Sequence, residues 1–450
     1  MADQKASGSK GENGEEARLT KQDLVDFFKK ACTPRDQWRI GTEHEKIGFR
    51  VSDKKRLTYE EIRTILGKLA DKFGWERSFE HGNLLALKQN GASITLEPGG
   101  QLELSGAPFK TLHETLEEVN NHISQVKAVC KELGAGFLTL GFDPKWTSSP
   151  TIPKERHILA SDLISQKGEH GHDVMYRTCT VQVNLDYESE QDMVNKMRVG
   201  LALQPIATAL FANSPFYEGK PSGFVSYRSI TWTDTDPDRT GMLPFVFDDD
   251  FGFEKFVDWA LDVPMYYVQN GKEYVKALGL DFKDFMAGKL EPLPGKYPTM
   301  ADWLNQLNSI LSEVRLKNIV EMRGSDNGPP EHITAQSALW VGLLYDDKSL
   351  QAALQLIKDW TAEERDALRN NVPRTGLKTV FRGTTVQDVA QKVVQLAKEG
   401  LERRGLKEEK YVEMLEDIAR TGMCPADKLL DKYHNEWGQN VDKVYSEHCY

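Results

Sequence analysis

The stretch RIGTEHEKIGF, residues 39–49, decides the fold, because it has the alternation of a β-strand. Successive side chains of a strand point to opposite faces, so Glu43 and Glu45 share one face, roughly 6.5 Å apart. His44 and Lys46 then point to the other face. Two neighbouring carboxylates repel each other unless a cation lies between them or solvent screens them. The segment therefore fits either a metal-binding strand or the solvated face of an edge strand.

A second strand segment is SITLEPGGQLELSGAP, residues 93–108. Its later leucines alternate with polar residues, which predicts a strand with one apolar face. The Pro-Gly-Gly sequence at 98–100 predicts a turn before that strand. Glu97 and Glu103 flank the turn. Their carboxylates either converge on a bound ion or lie exposed beside an ordinary turn.

A third strand is predicted at RTCTVQVNLDY, residues 177–187. Cys179 falls on its apolar face, as expected of a thiol packed in the core. The other face carries Thr180, Gln182 and Asn184, which form hydrogen bonds but carry no charge. A half-buried strand explains the alternation. The lack of lysine and glutamate on the polar face favours a cavity that binds substrate over a solvent-exposed face.

A fourth segment is EVRLKNIVEMRG, residues 313–324, with a strand predicted over residues 317–323. Glu321 and Arg323 share one face of that strand. A metal-binding acid two residues from a phosphate-binding arginine suits the chemistry of ATP and Mg²⁺, and a simple surface ion pair is the alternative. Together the four segments place carboxylate and amide oxygens on strands, and hard divalent cations prefer such oxygen ligands.

Helical stretches separate these strands and dominate the chain from about residue 335 onward. Strands interrupted by helices and followed by a helical C-terminal third indicate an α+β fold in one unit. The predicted helices include residues 59–73, 111–133, 189–212 and 350–360, the last with Ser349 as its cap.

The first 17 residues are polar and rich in Gly, Ser and Glu, so residues 1–17 are predicted to form a disordered tail. They lack the apolar region of a secretory signal and the arginines of a transit peptide. The five cysteines include no C-x-x-C pair, so a reducing compartment is expected, and the cytoplasm is predicted. Residues 18–450 are predicted to form a single domain.

Charge and motifs exclude several classes of function. A net charge of −11 and a pI near 5.5 argue against nucleic acid as the main partner. The longest apolar run, residues 199–216, is interrupted by Gln204, Pro205 and Asn213, so it is predicted to be a buried helix and no membrane span is expected. No G-x-x-x-x-G-K-[ST] motif occurs, so any use of ATP is not of the P-loop kind.

Seven stretches of the chain resemble the plant and alphaproteobacterial type of glutamate–cysteine ligase. They are the four strand segments quoted above, LALQPIATALFANSPF (201–216), RSITWTDTDPDRTGMLPFVFDD (228–249) and ALWVGLLYDD (338–347). The resemblance runs from about Leu19 to Tyr450, and motifs of this length and order are very specific. It implies a catalytic domain related to glutamine synthetase, in which an antiparallel sheet backed by helices forms a funnel-shaped active site.

The resemblance also implies a reaction and its ligands. ATP would activate the γ-carboxyl of glutamate as γ-glutamyl phosphate, and the amine of cysteine would then displace phosphate, in the first step of glutathione biosynthesis. The metal would be Mg²⁺, with Mn²⁺ as the alternative. No nucleic acid or membrane partner is implied, and a monomer or weak homodimer is expected.

Site residues follow from the same resemblance, position by position. In the wider superfamily a histidine is usual where this chain has Gln182. The implied metal ligands are Glu43, Glu45, Glu97, Glu103, Gln182 and Glu321; the implied catalytic residues are Glu321 and Arg323, the phosphate-binding residues Arg315 and Arg323, and the substrate-binding residues Arg228 (for the glutamate carboxylate), Thr180, Trp232 and Tyr266.

One departure from the plant pattern concerns cysteines. The cysteines that form regulatory disulfides in the plant members align here with other residues: one pair with Leu116 and Thr334, the other with Ala277 and Pro292. Redox control of the plant kind, and a plastid source, are therefore not expected. Two alternatives to the main reading are a relative that joins glutamate to another amine and an inactive relative that senses nucleotide or amino acid. Retention of all the implied ligands disfavours the sensor.

Overall fold

The computed structural model describes residues 18–271 and 273–450, apart from four side chains between residues 162 and 166. The predicted disordered tail, residues 1–17, lies outside the described residues. The strands are β1 (Ile40–Arg50), β2 (Glu76–Glu80), β3 (Asn83–Gln89), β4 (Ala92–Leu96), β5 (Leu102–Ser105), β6 (Ala135–Leu138), β7 (Thr180–Leu185), β8 (Phe216–Tyr217), β9 (Lys220–Pro221), β10 (Thr240–Gly241), β11 (Tyr267–Asn270), β12 (Glu273–Lys276), β13 (Leu311–Ser312), β14 (Val314–Leu316), β15 (Val320–Asp326), β16 (Val380–Phe381) and β17 (Thr384–Thr385).

The α-helices of the same residues are α1 (Lys21–Lys30), α2 (Tyr59–Phe73), α3 (Leu112–Leu133), α4 (Glu155–Lys167), α5 (Gly171–Arg177), α6 (Glu190–Phe211), α7 (Tyr227–Thr231), α8 (Phe253–Asp262), α9 (Phe282–Met286), α10 (Met300–Asn308), α11 (Pro330–Leu344), α12 (Asp347–Ile357), α13 (Ala362–Thr375), α14 (Val386–Arg404), α15 (Glu413–Thr421), α16 (Pro425–Asn435) and α17 (Val444–Glu447). The C-terminal part of the chain is therefore almost entirely helical, as the sequence predicts.

One nine-stranded sheet organises the molecule. Its order is β14-β15-β7-β1-β5-β4-β3-β2, and β6 pairs with the second half of β1. Every pairing within this sheet is antiparallel. The four strand segments recognised in the sequence become β1, the β4–β5 hairpin, β7 and the β14–β15 hairpin, which are neighbours in the sheet. The predicted α+β fold with an antiparallel sheet is confirmed.

The register of these strands gathers the polar side chains on one face, which we call the polar face. Glu45 lies opposite Glu103 of β5, and Glu43 lies opposite Gln182 of β7. Glu321 of β15 pairs in turn with a residue of β7. Because directly opposed residues of antiparallel strands point the same way, the acids of β1, β5 and β15 share one face with the amides of β7. The shared face predicted for Glu43 and Glu45 is confirmed.

Helices α3 and α11 pack on the other side of β1, and α6 packs on β15. His44 and Lys46 are fully buried on this side, with Lys46 Nζ 3.2 Å from Nδ1 of His44. Burial lowers the pKa of Lys46 to about 7. α6 is buried along nearly its whole length, which explains why residues 199–216 are so apolar. No helix in the described part of the chain is both long and apolar enough to cross a membrane.

The helix predicted over residues 350–360 is displaced. It is α12, Asp347–Ile357, and its N-cap is Asp346 instead of the predicted Ser349. The Asp346 carboxylate accepts a hydrogen bond from the backbone N–H of Ser349 at 2.8 Å. An aspartate three residues before the serine thus satisfies the first free amides and starts the helix earlier.

The strand predicted over residues 317–323 is also displaced, to Val320–Asp326. Residues 317–319 form the turn from β14, closed by a 2.8 Å hydrogen bond from Lys317 N–H to the Ile319 carbonyl. Beyond the turn, the register of β15 against β7 shifts between Met322 and Ser325, which marks a β-bulge. Gly324 lies within it, and a Cβ there would be 2.6 Å from side-chain atoms of Gln204. A side chain at position 324 would therefore force the Gln204 side chain of α6 to move.

Candidate active site

Four glutamates form an acidic group on the polar face, which we call the acid cluster: Glu43, Glu45, Glu97 and Glu103. Neighbouring polar groups orient three of them. Asn184 Nδ2 donates to Glu43 at 2.6 Å, Thr95 Oγ1 donates to Glu103 at 2.6 Å, and Thr180 N–H donates to Glu45 at 2.9 Å. The sheet therefore holds negative charges close together with hydrogen-bond donors at their edges but with little positive charge among them.

Burial and mutual repulsion raise the pKa values of these carboxyls. Burial, with the charges of Glu103 and Glu321, raises the pKa of Glu43 to about 7. Burial, with Glu97 and Glu103, raises the pKa of Glu45 well above its usual value. The pKa of Glu103 is raised by burial and by Glu97. A bound cation would remove this repulsion, so the acid cluster has the electrostatics of a cation site.

A second group on the polar face carries a net positive charge. It consists of Arg315, Lys317 and Arg323, arranged around Glu321, and we call it the cation cluster. Arg315 is bidentate to the Glu321 carboxylate at 2.7 and 2.9 Å. Lys317 Nζ lies 3.3 Å from the same carboxylate, and Arg323 Nη1 lies 2.9 Å from it. Burial alone would raise the pKa of Glu321, but the three cations hold it well below its usual value. Three positive charges thus surround one carboxylate.

The two predicted phosphate-binding arginines differ in how many of their donors are already used. Besides its two bonds to Glu321, Arg315 donates from Nη1 to the carbonyls of Asn308 and Ile310, both at 3.1 Å. Arg323 donates from Nη1 to Glu321 and, at 2.5 Å, to Gln182 Oε1. Arg315 is therefore held as a support for Glu321, whereas the other guanidinium nitrogens of Arg323 form no hydrogen bond within the described part of the chain.

Two of the predicted metal ligands, Glu321 and Gln182, already serve as hydrogen-bond acceptors for Arg323 in this arrangement. Among the described residues, no arginine or lysine forms an ion pair with a carboxylate of the acid cluster. The predicted metal ligands are thus brought onto one face but divided between an acid-rich part and a cation-rich part.

Two of the four predicted substrate-binding residues, Arg228 and Thr180, contact the bulge of β15. Arg228 Nη2 donates to the Arg323 carbonyl at 2.8 Å. Thr180 Oγ1 donates to the carbonyls of Arg323 and Ser325 at 2.9 and 2.8 Å, so this hydroxyl braces the bulge. Arg228 also lies near Glu45, whose pKa its charge lowers, although burial dominates there. The bulge therefore connects Arg323 to Arg228 and Thr180.

A small buried cavity, about 10 Å³ in volume, lies beside Arg228. It is lined by Arg228, Trp232 and Gln204, among others. Arg228 Nε, Trp232 Nε1 and both amide atoms of Gln204 have no hydrogen-bond partner among the described residues. Tyr266 does not line this cavity. Its ring instead packs 3.8 Å from the Arg239 guanidinium, and its hydroxyl is likewise without a partner in the described part of the chain.

Three residues of this region were not singled out from the sequence. Lys317 lies in a turn, where strand alternation gives no direction for its side chain. Lys154 precedes α4 and reaches back to donate to the Leu96 carbonyl at 3.2 Å, close to Glu97 and Glu103. Gln204 lies in an apolar helix, and its polarity was the only available signal. Each depends on contacts between segments that are far apart in sequence.

The acid cluster fits Mg²⁺ in its ligand chemistry. Within residues 18–271 and 273–450, no three His, Cys, Asp or Glu side chains are placed to enclose a metal ion by themselves. Mg²⁺ characteristically keeps several waters and binds through one or two carboxylates together with substrate phosphates. Oxygen donors beside a cation-rich, phosphate-compatible region suit that mode better than an all-protein metal cage.

A family model described as glutamate–cysteine ligase family 2 matches residues 39–447. The chain is 56% identical over 434 residues to the chloroplastic glutamate–cysteine ligase of Nicotiana tabacum, covering 96% of this chain and 83% of that protein. The corresponding protein of Arabidopsis thaliana is 55% identical over 434 residues, with the same two coverages.

Solved structures share the fold at low sequence identity. A glutamate–cysteine ligase of Francisella tularensis, solved in complex with AMP, superposes with a TM-score of 0.54 at 11% identity, covering 89% of this chain and 85% of that one. A bifunctional glutathione synthetase of Pasteurella multocida gives 0.50 at 13% identity, covering 94% of this chain and 52% of that one. These likenesses bear out the predicted glutamine synthetase-like architecture.

The relatives correct one prediction. The cytoplasmic location inferred from the sequence is wrong, because the similar proteins of Nicotiana tabacum and Arabidopsis thaliana are both named chloroplastic. The inference failed because cysteine content and the composition of residues 1–17 do not identify a compartment. The family itself is established by the match over residues 39–447 and by relatives more than half identical over nearly the whole chain. This chain belongs to glutamate–cysteine ligase family 2.

Proposed function

We propose that this protein uses ATP and a divalent cation to join the γ-carboxyl of glutamate to the amine of cysteine. One observation supports it beyond family membership: an acid cluster able to attract Mg²⁺ adjoins a cation cluster able to attract phosphate. Glu43 and Gln182, directly opposed on β1 and β7, lie at the boundary between the two. A ligand that carries both metal and phosphate, such as Mg²⁺-ATP, is complementary to this division of charge.

The first step would transfer the terminal phosphoryl group of ATP to glutamate. An oxygen of the γ-carboxylate attacks the phosphorus, the bond to the bridging oxygen of ADP breaks, and γ-glutamyl phosphate forms. Phosphoryl transfer requires positioning and charge neutralisation more than covalent help from the protein. Arg323 is the proposed donor to the transferred group, because it is fixed by Glu321 and Gln182 and still has nitrogens to offer. Arg315 would act from behind Glu321, and its direct contact with phosphate stays a prediction.

The second step would form the amide. The cysteine nitrogen attacks the acyl carbon, the bond from carbon to the phosphate oxygen breaks, and phosphate leaves while the amine loses a proton. Arg228 is the proposed partner of the glutamate carboxylate, and Trp232 and Tyr266 are proposed for the substrate pocket. Their unpaired nitrogen and hydroxyl groups support this role, because buried polar atoms require partners. Thr180 would act by holding the bulge and Glu45.

The metal would be held by the acid cluster, with Gln182 and Glu321 as the remaining candidate ligands. When bound, Mg²⁺ supplies charge neutralisation at the phosphate oxygens. Asn184, Thr95 and the Thr180 amide keep the carboxylates of the acid cluster oriented. All the candidate ligands donate oxygen, which suits Mg²⁺ and Mn²⁺ alike, so Mg²⁺ is proposed with Mn²⁺ as the alternative.

The test is ADP release by the purified protein from ATP and glutamate, with each amino acid and ammonia in turn as acceptor. Cysteine is expected to be the best acceptor, and the product is expected to be γ-glutamylcysteine by mass spectrometry. If ammonia were preferred, the protein would be a glutamine-forming enzyme. If no acceptor released ADP beyond background, an inactive sensor would be the better description.

We also propose a plastid location, which the names of the similar plant proteins support. Residues 18–450 are proposed to act as one catalytic domain, as a monomer or weak homodimer. Imaging of a fluorescent fusion of the complete gene product and sedimentation of the purified chain test these points.

A further inference from the structure

The cation cluster contains more positive charge than its carboxylate can balance. Arg315, Lys317 and Arg323 all lie within 3.3 Å of Glu321. The Glu321 carboxylate is fully buried, so solvent does not supply the missing negative charge there. Close like charges are unfavourable unless an anion lies between them. Glu43 acts on Lys317 and Glu45 acts on Arg323, but among the described residues neither forms an ion pair with that cation. The positive charge that Glu321 leaves unpaired therefore indicates an anionic ligand at this end of the polar face.

Lys317 is the member best placed to reach that ligand. Its side chain is 21% exposed, against 9% for Arg315 and 13% for Arg323. Among the described residues its one ion pair is with Glu321, a carboxylate that Arg315 already binds through two nitrogens. An ammonium group has three donors, so Lys317 keeps donors that Arg315 no longer has.

The position of Lys317 between β14 and β15 also supports a role in binding that ligand. It begins the turn that joins β14 to β15, and its charge acts on both Glu321 and Glu43. Lys317 is therefore a member of the cation cluster whose charge also reaches Glu43 of the acid cluster. A phosphate bound there could contact the lysine while the acid cluster would hold the metal.

We propose that Lys317 binds the terminal phosphate of the nucleotide, next to Arg323, while Arg315 positions Glu321. The inference rests on the proposed use of ATP and adds a residue to that site. A lysine is suited to this role because its ammonium acts as a mobile point charge, whereas the guanidinium of Arg315 is fixed by four hydrogen bonds.

The experiment measures binding of the non-hydrolysable analogue AMPPNP and of ADP by calorimetry, in excess MgCl₂. The variants are Lys317→Met, which removes the charge at similar length, and Lys317→Arg, which retains it. Lys398→Met is the matched control, because Lys398 also pairs with a glutamate, Glu416, but lies on α14. Thermal unfolding checks that each variant is folded.

Loss of one charge-assisted hydrogen bond typically weakens binding by about 10- to 100-fold. Lys317→Met is expected to weaken AMPPNP by that factor and ADP by less, because ADP lacks the terminal phosphate. Lys317→Arg should stay within about threefold of wild type, and Lys398→Met should equal it.

Several results would overturn the proposal. They are unchanged AMPPNP affinity in a folded Lys317→Met variant, an equal loss for AMPPNP and ADP, and failure of the wild-type protein to bind either nucleotide. Failure of the proposed function would give a different result from the first two: the wild-type protein would bind nucleotide but would release no ADP. If Lys317 merely supported Glu321, the Lys317→Met variant would lose stability while keeping its nucleotide affinity.

Discussion

Replacing Glu43 by glutamine is expected to stabilise the metal-free protein at alkaline pH. Glu43 lies in the acid cluster with a pKa raised to about 7 by burial and by Glu103 and Glu321. Above that pH the folded protein holds a carboxylate that repels its neighbours. Glutamine keeps the shape and can still accept the hydrogen bond from Asn184, which Glu43 accepts at 2.6 Å. Only the charge is removed.

The magnitude follows from linkage between protonation and folding. The ordinary pKa of a glutamate is 4.5 and the folded value is about 7. A carboxyl with a raised pKa contributes stability below its unfolded pKa, and this stability is lost as the pH rises through the folded pKa. Each pKa unit corresponds to about 1.4 kcal/mol. Integrated, the Glu43 charge costs roughly 1 kcal/mol at pH 5 and roughly 3 kcal/mol at pH 8.

The assay is urea unfolding of wild type and Glu43→Gln in EDTA at pH 5 and pH 8. The free energy of unfolding of the variant relative to wild type is expected to be about 2 kcal/mol more favourable at pH 8 than at pH 5. Glu436→Gln, at an exposed position, serves as the control and should give the same difference at both pH values. Saturating Mg²⁺ should reduce the advantage of Glu43→Gln, because a bound cation relieves the repulsion in wild type.

A variant that was less stable than wild type at pH 8, or whose advantage did not depend on pH, would refute this reasoning. Such a result would mean that donors or water satisfy the Glu43 carboxylate in the absence of metal. The electrostatic case for a cation site would then lose its main support.

Three further predictions concern the rest of the site. Glu321→Gln is expected to lower kcat by about 100-fold or more and to lower the free energy of unfolding by about 3–5 kcal/mol, because it leaves buried cations unpaired. Glu45→Gln should reduce activity similarly without that loss of stability. Equal stability of the two variants in urea would contradict the assignment. Dithiothreitol is expected to change activity little, because all five cysteines are unpaired in the structure. A large, reversible loss of activity on reduction, measured together with a thiol titration, would show that a disulfide is needed. Tyr266→Phe removes a buried hydroxyl that has no partner among the described residues. This variant is expected to raise the KM for cysteine several-fold while leaving the KM for ATP unchanged. Unchanged cysteine kinetics would remove Tyr266 from the acceptor pocket.

Local pattern predicted the strands of the polar face, since it depends only on neighbours in the chain. The alternation around Glu43 and Glu45 fixed which side chains share a face, and the structure agrees. Helix α2 matches its predicted bounds because Thr58 and Glu61 form a capping box within the helix's own first turn. α12 was misplaced because two acids precede Ser349, and local pattern does not decide which of several capping residues is used.

Sequence resemblance, which compares the whole chain, indicated the family and the candidate residues. It could not show which of those residues lie among acids and which lie among cations. The pairing of β1 with β7 and of β7 with β15 decided that Glu321 lies among cations while Glu43, Glu45 and Glu103 lie among acids.

The roles of Lys317 and Arg315 also depended on the tertiary structure. Lys317 lies in a turn, where no periodicity directs a side chain, and the donors of Arg315 are used by carbonyls that only folding brings near. The sequence by itself determined which residue types occupy the strands. Only the tertiary structure decided which charges oppose one another, because Coulomb interactions depend on distance in space and on burial, neither of which is encoded by position along the chain.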